Sequence, residues 1–369
     1  MIQQVPPIRE LDPLTEVPYE FITRQEFTDQ LVELQFSEIP EETRAAEERL
    51  YKRLGLLADD ADIDELLVQL YGQQVAAYYR PDTKRFYIIT DNEDPFSASD
   101  KIIVAHEYTH ALQDQHFDLE ANRVKDLTQG DAALGQLGSV EGDATKSMQL
   151  WTQANLSPDE AFEVLLESLQ QLDDPTLSSM PWVLRRQLEF PYAEGLAFIE
   201  QLYNQGGWDA VNATLSTAIP ASTEQVLHPE KYLANEAPVT IEVPDESSSL
   251  GDGWSITYQQ TMGELLMQVL AAGDEVPPAM LPGLPMDWPH ADSVGGWGGD
   301  RLNMYEGPNG AWIIDWHTAW DTETDAGEFE ARVAEIQSMF DGQTTITRTG
   351  TEVVVRITPD GAGTDLPPV

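Results

Sequence analysis

Two histidines four residues apart, with a glutamate directly after the first, stand in the run His106-Glu107-Tyr108-Thr109-His110. An apolar stretch of Ile102, Ile103, Val104 and Ala105 leads in, and the Ala-Leu-Gln-Asp-Gln that follows is helix-compatible. Residues four apart share a helix face, so both imidazoles can reach one metal ion. Glu107 is then placed to take a proton from a water activated by that ion and to hand it to a leaving amine. These residue types at this spacing predict zinc as the cofactor, with a peptide or protein as substrate and hydrolysis of its peptide bond as the reaction.

A catalytic zinc takes a third protein ligand, and two residues compete for the place. His116 lies six residues after His110, the histidine spacing of the metzincins. In those enzymes a glycine three residues after the second histidine turns the chain back to the metal, whereas Gln113 stands here. On a continuing helix His116 lies about 240° round from His110, out of reach of a shared ion. Glu141, in GSVEGDATKSM, belongs to a helical stretch over 131–154 whose packing face carries Leu134, Leu137, Ala144 and Met148. A second helix that brings a glutamate to a helical histidine pair is the gluzincin arrangement, so Glu141 is favoured and His116 is the alternative. Asp143 is placed to hold an imidazole N–H of His106 or His110. In PASTEQVLHPEKYL, residues 220–233, His228 and Tyr232 are the candidates for a donor that stabilises the oxyanion of the tetrahedral intermediate.

Stepping outward, a proline- and acid-rich arm covers residues 1–20, and helices are expected over 24–36, 41–54 and 62–79. A strand is expected over 84–90, beside the histidine helix, where an edge strand could pair with an extended substrate. The link 91–100 ends in Ser97 or Ser99 as cap of that helix. Further helices are expected over 158–172, 182–188 and 190–216, the last broken at Gly206-Gly207. Met180 reads as a core residue, Tyr192 and Glu194 as helix residues where a cleft can lie, and core packing is the commoner fate of the tyrosine. From residue 236 the pattern changes to a strand over 238–243, a helix over 258–272 and a loop over 273–290. Two strands flanking 307–310, a capped helix over 321–340 and a last strand over 351–360 complete a βαβ-like tail, with Asp300 and Arg301 as an ion pair at its turn. His290 and His317 lack partners at ligand spacing and read as structural.

The chain of 369 residues carries 65 acidic against 20 basic residues, a formal net charge of −45. Such a charge argues against nucleic acid as a partner and against an anionic membrane surface. No run reaches 18 apolar residues, so no membrane span is expected. There is no cysteine, so any metal is held by nitrogen and oxygen ligands. The N-terminus has neither a basic n-region nor an apolar h-region, which leaves a cytoplasmic protein or one whose leader lies outside this chain. The acidic, lysine-poor composition favours the second, a secreted or extracytoplasmic location.

HEYTHALQDQHFDLE, VEGDATKSM and STEQVLHPEKY together resemble a group of bacterial zinc metallopeptidases of the gluzincin type. GWGGDRLNMYEG and WDTETDAGEFEA are similar to the tail of that group, so the resemblance covers most of residues 60–340. It implies His106, His110 and Glu141 as zinc ligands and Glu107 as base. Asp143 follows Glu141 by two residues, where thermolysin-like enzymes space the corresponding acid by four. The combined expectation is an α+β protein: an N-terminal arm with helices (1–60), a mainly helical zincin-like catalytic domain (61–235) and a small α/β C-terminal domain (236–369). The rival readings are a non-catalytic, metal-stabilised binding or scaffold protein and a metzincin-like protease that uses His116.

Overall fold

Apolar residues recur at helical spacing mainly before residue 255, and β-branched and aromatic residues cluster after it; the backbone follows that division. The computed structural model describes residues 2–27, 29, 39–74, 77–89, 97–171, 179–275 and 288–361. The N-terminal part is mainly helical: α1 (Pro6–Arg9), α2 (Glu41–Arg53), α3 (Ile63–Gln74), α4 (Ala98–Phe117), α5 (Gly130–Asn155), α6 (Pro158–Gln171), α7 (Trp182–Thr214), α8 (Thr223–Leu227) and α9 (Pro229–Leu233). One small sheet is set among them, with β1 (Tyr19–Ile22) and β2 (Ala77–Arg80) flanking a central β3 (Arg85–Ile89). The C-terminal part is β-rich. Strands β4 (Ser255–Gln260), β5 (Trp297–Glu306), β6 (Trp312–Trp320), β7 (Gln343–Thr349) and β8 (Glu352–Thr358) form an antiparallel sheet in the order β4-β5-β6-β8-β7. Helices α10 (Gly263–Ala272) and α11 (Glu323–Ile336) pack on it, so the whole is a mixed α/β fold.

The helices begin where the sequence supplies caps. Ser97 caps α4 in a reciprocal box with Asp100, and Thr322 caps α11 in the same way with Asp325. Ser222 accepts from the Gln225 N–H at the start of α8. In α7 the expected break is at Gly207, whose φ of 62° is open to glycine and costly for other residues. Helices α5 and α7 meet backbone to backbone: a Cβ on Gly142 would overlap the Gly195 carbonyl, and one on Gly195 the Gly138 carbonyl. That close approach sets the position of everything α5 carries.

A large apolar core joins the sheet to distant helices, with Leu50 of α2 and Leu54 just after it, Leu270 of α10, Phe329 of α11 and the tryptophans 297 and 316 in one cluster. Met180 lies in it too. At the start of α10 the buried carboxylate of Asp300 accepts four N–H groups, from the backbone of Met262 and Gly263 (both 2.9 Å) and from the indoles of Trp297 (3.0 Å) and Trp316 (2.9 Å). Asp300 therefore does not pair with Arg301 as expected. Arg301 instead donates to the Thr128 carbonyl and hydroxyl and to Gln259.

Several boundaries differ from expectation. The helix over 62–79 ends by Gln74, and Tyr78 and Tyr79 belong to β2, as their aromatic character favours. The helix over 258–272 is a strand followed by a helix, split where Gly263 takes φ 70°. Residues 238–243 form no strand; the Val239 N–H donates one backbone hydrogen bond to the Gly298 carbonyl. The tail is not βαβ, since β6 and β8 pair antiparallel and β7 adds an edge that the sequence reading omitted. The expected strand at 84–90 is β3, the centre of its sheet and not an edge. The helix expected over 24–36 lies largely outside the described residues, as do most of the link at 91–100, the turn-rich piece at 173–181 and the loop at 273–290. Among the described residues no helix is long and apolar enough to cross a membrane.

The glycine crossing yields a direct test. Gly195→Ala should destabilise the protein by about 1–3 kcal/mol in urea unfolding, through overpacking against α5. Gly327→Ala, in α11 with no atom near the added methyl group, should instead stabilise it by roughly 0.5–1 kcal/mol. Equal effects at the two sites would show that helix propensity and not the close crossing governs Gly195.

Candidate metal centre

His106 and His110 lie one turn apart on α4, and their Nε2 atoms are 3.1 Å from each other. Glu141, from α5, brings its Oε2 to 3.0 Å from His106 Nε2 and 3.3 Å from His110 Nε2. All three ligand atoms converge within one small volume, the histidines buried and the glutamate partly so. For a tetrahedral ion with bonds of about 2.0–2.1 Å, ligand atoms stand roughly 3.3–3.4 Å apart, so two imidazole nitrogens and a carboxylate oxygen at these spacings fit zinc. The structure thus brings together His106, His110 and Glu141.

Electrostatics in the cluster are strongly coupled. Burial alone would raise the Glu141 carboxyl, but the His110 charge and hydrogen bonds from both histidines hold it well below the usual range. For His110 burial works against the charged form, and the Glu141 carboxylate overrides it, raising the imidazole above its ordinary value. Glu107 is pushed up by burial, against the pull of the two histidines. Its Oε2 accepts the Tyr79 backbone N–H at 3.0 Å, so β2, not β3, is the strand beside it.

The residues after the motif hold this arrangement. Gln113 faces inward, its Oε1 2.8 Å from His110 Nδ1 and its Nε2 donating to the Asp143 carboxylate at 2.7 Å. Asp143 therefore reaches the imidazole through Gln113 and not directly, a correction to the expected contact. Asp114 is buried and accepts from the Tyr79 hydroxyl (2.7 Å) and from Lys84 (2.8 Å), which clamps the β2–β3 hairpin to α4. His116 turns away: α4 continues to Phe117, and the His116 ring meets the Asp12 carbonyl at 2.7 Å.

The other expected site residues are engaged elsewhere. His228 Nε2 pairs with the buried Glu264 at 3.0 Å, and the Tyr232 hydroxyl donates to the Ala218 carbonyl at 2.7 Å while its ring packs edge-on to Phe198. His290 pairs with Glu275 and His317 with Asp315. Tyr192, which core packing seemed to claim on sequence grounds, is 41 % exposed with its ring centroid 6.0 Å from that of His106. Glu194 forms a buried two-pronged ion pair with Arg186. A second acidic cluster, Glu224, Glu236 and Asp321, already surrounds the ammonium of Lys231 at 2.6, 3.1 and 2.6 Å. A cavity of about 250 Å³ lies apart from the histidines, lined by the 238–243 segment and by Asp131, Thr261, Asp300 and Arg301 among others.

Sequence reasoning missed Gln113, Asp114 and Tyr79. The first two had a signal, since polar residues directly after the second histidine must point at something once the helix is buried all round.

Among known proteins, a family model described as a domain of unknown function (DUF8575) matches residues 255–365, the sheet-bearing part from β4 onward. That span contains none of the converging ligands. No curated protein and no solved structure matches the chain.

The His228–Glu264 pair makes stability depend on pH. The hydrogen bond that the imidazole donates to the Glu264 carboxylate raises it above its ordinary value, with burial opposing. Its contribution is therefore complete below about pH 6.5, the unfolded value, and is lost as pH rises through the folded one. His228→Gln should cost on the order of 1 kcal/mol at about pH 6 and progressively less toward about pH 9, read from urea unfolding. A pH-independent cost would show that the pair does not carry the charge.

Proposed function

We propose that the chain is a zinc-dependent peptide hydrolase of zincin type, with His106, His110 and Glu141 as metal ligands and Glu107 as general base. The observation that carries this reading is the convergence of three ligand atoms from two helices at zinc-compatible spacing, with the Glu107 carboxylate fixed beside them. Bound there, zinc would polarise the scissile carbonyl and lower the pKa of water.

The chain's own residues handle position and protons. Glu107 has one oxygen occupied by the Tyr79 N–H, which leaves the other to take a proton from the attacking water and return it to the leaving amine. Its raised pKa makes it a stronger base than an exposed carboxylate. β2 is an outer strand of its sheet next to Glu107, so an extended substrate can add to it by backbone pairing. Tyr192, whose ring centroid lies 6.0 Å from that of His106, is the proposed donor to the developing oxyanion.

The test combines metal analysis with a peptide screen. One zinc per chain is expected in the wild type and in His116→Ala, and loss of it in His110→Ala and Glu141→Ala. Glu107→Gln should keep the metal and lose hydrolysis by at least about 10²-fold. Zinc bound without hydrolysis by either protein would turn the reading to a metal-stabilised binding protein; zinc lost with His116 and kept without Glu141 would turn it to the metzincin alternative.

A further inference from the structure

The N-terminal arm reads from sequence as a proline- and acid-rich extension, and its Arg9 is among the most deeply buried side chains of the molecule. Its guanidinium lies 2.6 Å from Asp143, donates to Asn212 at 2.6 Å, and covers the Trp208 ring at 4.3 Å. Trp208 in turn donates its indole N–H to the Ile8 carbonyl, fixing the arm next to the arginine. Asp143 is the same carboxylate that receives Gln113.

We propose that Arg9, Asp143 and Gln113 form a positioning chain that runs from the N-terminal arm to the metal ligand His110 and selects its ring orientation and tautomer; this rests on the zinc reading above. The logic follows from donors and acceptors. Both hydrogens of the Gln113 amide nitrogen point at oxygen atoms, the Val140 carbonyl at 2.9 Å and Asp143 Oδ2 at 2.7 Å. The amide cannot turn over without setting its oxygen against those two oxygens. Its Oε1 must therefore face His110, and an acceptor at 2.8 Å from Nδ1 requires the proton on Nδ1. Nδ1 thus keeps its hydrogen, and Nε2, which faces Glu141 and His106, is the nitrogen that gives up its proton when a metal binds there. Arg9 fixes the far end: its Nε forms a fully buried ion pair with Asp143 while its Nη2 donates to Asn212, and together these hold the carboxylate where Gln113 needs it.

The arm is stitched to the same helix at further points. Gln115 accepts the Leu14 N–H at 2.7 Å and donates to the Thr15 carbonyl, and His116 meets Asp12. Each of these residues follows the second histidine of the motif, so the arm grips the part of α4 that carries His110. Arg9 touches neither metal nor substrate and acts only through the chain it terminates.

Zinc affinity measured by chelator competition, on the full chain, tests this with a two-residue cycle. Arg9→Met and Gln113→Met should each weaken zinc binding about 10–100-fold. The double variant should bind about as weakly as Gln113→Met alone, because both changes break one chain. A merely structural arginine would give losses that multiply, and that result, or unchanged affinity in Arg9→Met, overturns the inference while leaving the zinc reading intact. Absence of zinc uptake by the wild type overturns both. Should Arg9→Met fail to fold, Arg9→Lys, which keeps the charge and lacks the fork, replaces it in the same cycle with the same expected non-additivity.

Discussion

Two imidazole nitrogens and a carboxylate oxygen packed within 3.3 Å oppose one another unless a cation or a proton lies between them. Holding them so costs free energy, and much of the surrounding architecture resists their separation. The glutamate helix is pinned by a glycine crossing that has no room for a side chain, and the histidine helix is capped at one end and gripped by the N-terminal arm at the other. Rigid support of this kind is what a metal or catalytic centre requires, because a ligand displaced by an ångström binds poorly.

The run from Gln113 to His116 shows how few residues are needed. Gln113 turns inward to His110, Asp114 takes the hairpin that carries Tyr79, and Gln115 and His116 take the arm. At 100° per residue, consecutive positions point to different sides, so one helical turn addresses three separate elements. Glu107 depends on that arrangement indirectly, since the Tyr79 N–H that orients it is held by the Tyr79–Asp114 bond.

Much of the candidate site was legible in the sequence because it is local: His106, Glu107 and His110 lie on one turn, and the small-residue stretch around Glu141 marks a helix that packs closely. Long-range partners left no such mark. Arg9 looks like any arginine in a polar arm, and its burial depends on Asp143, Asn212 and Trp208 from far along the chain. Apolar periodicity continued from Tyr258 through Leu265 and Val269, which concealed the change from strand to helix at Gly263. β7 was invisible for the opposite reason, since QTTITRT is polar and mostly exposed at the sheet's edge. The PVTIEV segment has strand composition without strand partners, a reminder that β-propensity describes a surface to be packed and not a ladder.

Asp300 is held without any charged partner. Its carboxylate is satisfied by two backbone amides and two indoles, none of them charged, at the point where α10 meets the sheet. Dissolved ions weaken attraction between exposed opposite charges and leave buried contacts with neutral donors almost untouched. At the same time they shield the mutual repulsion of 65 acidic groups. The joint between α10 and the sheet is therefore nearly indifferent to electrolyte, while the acidic surface above it is relieved by it.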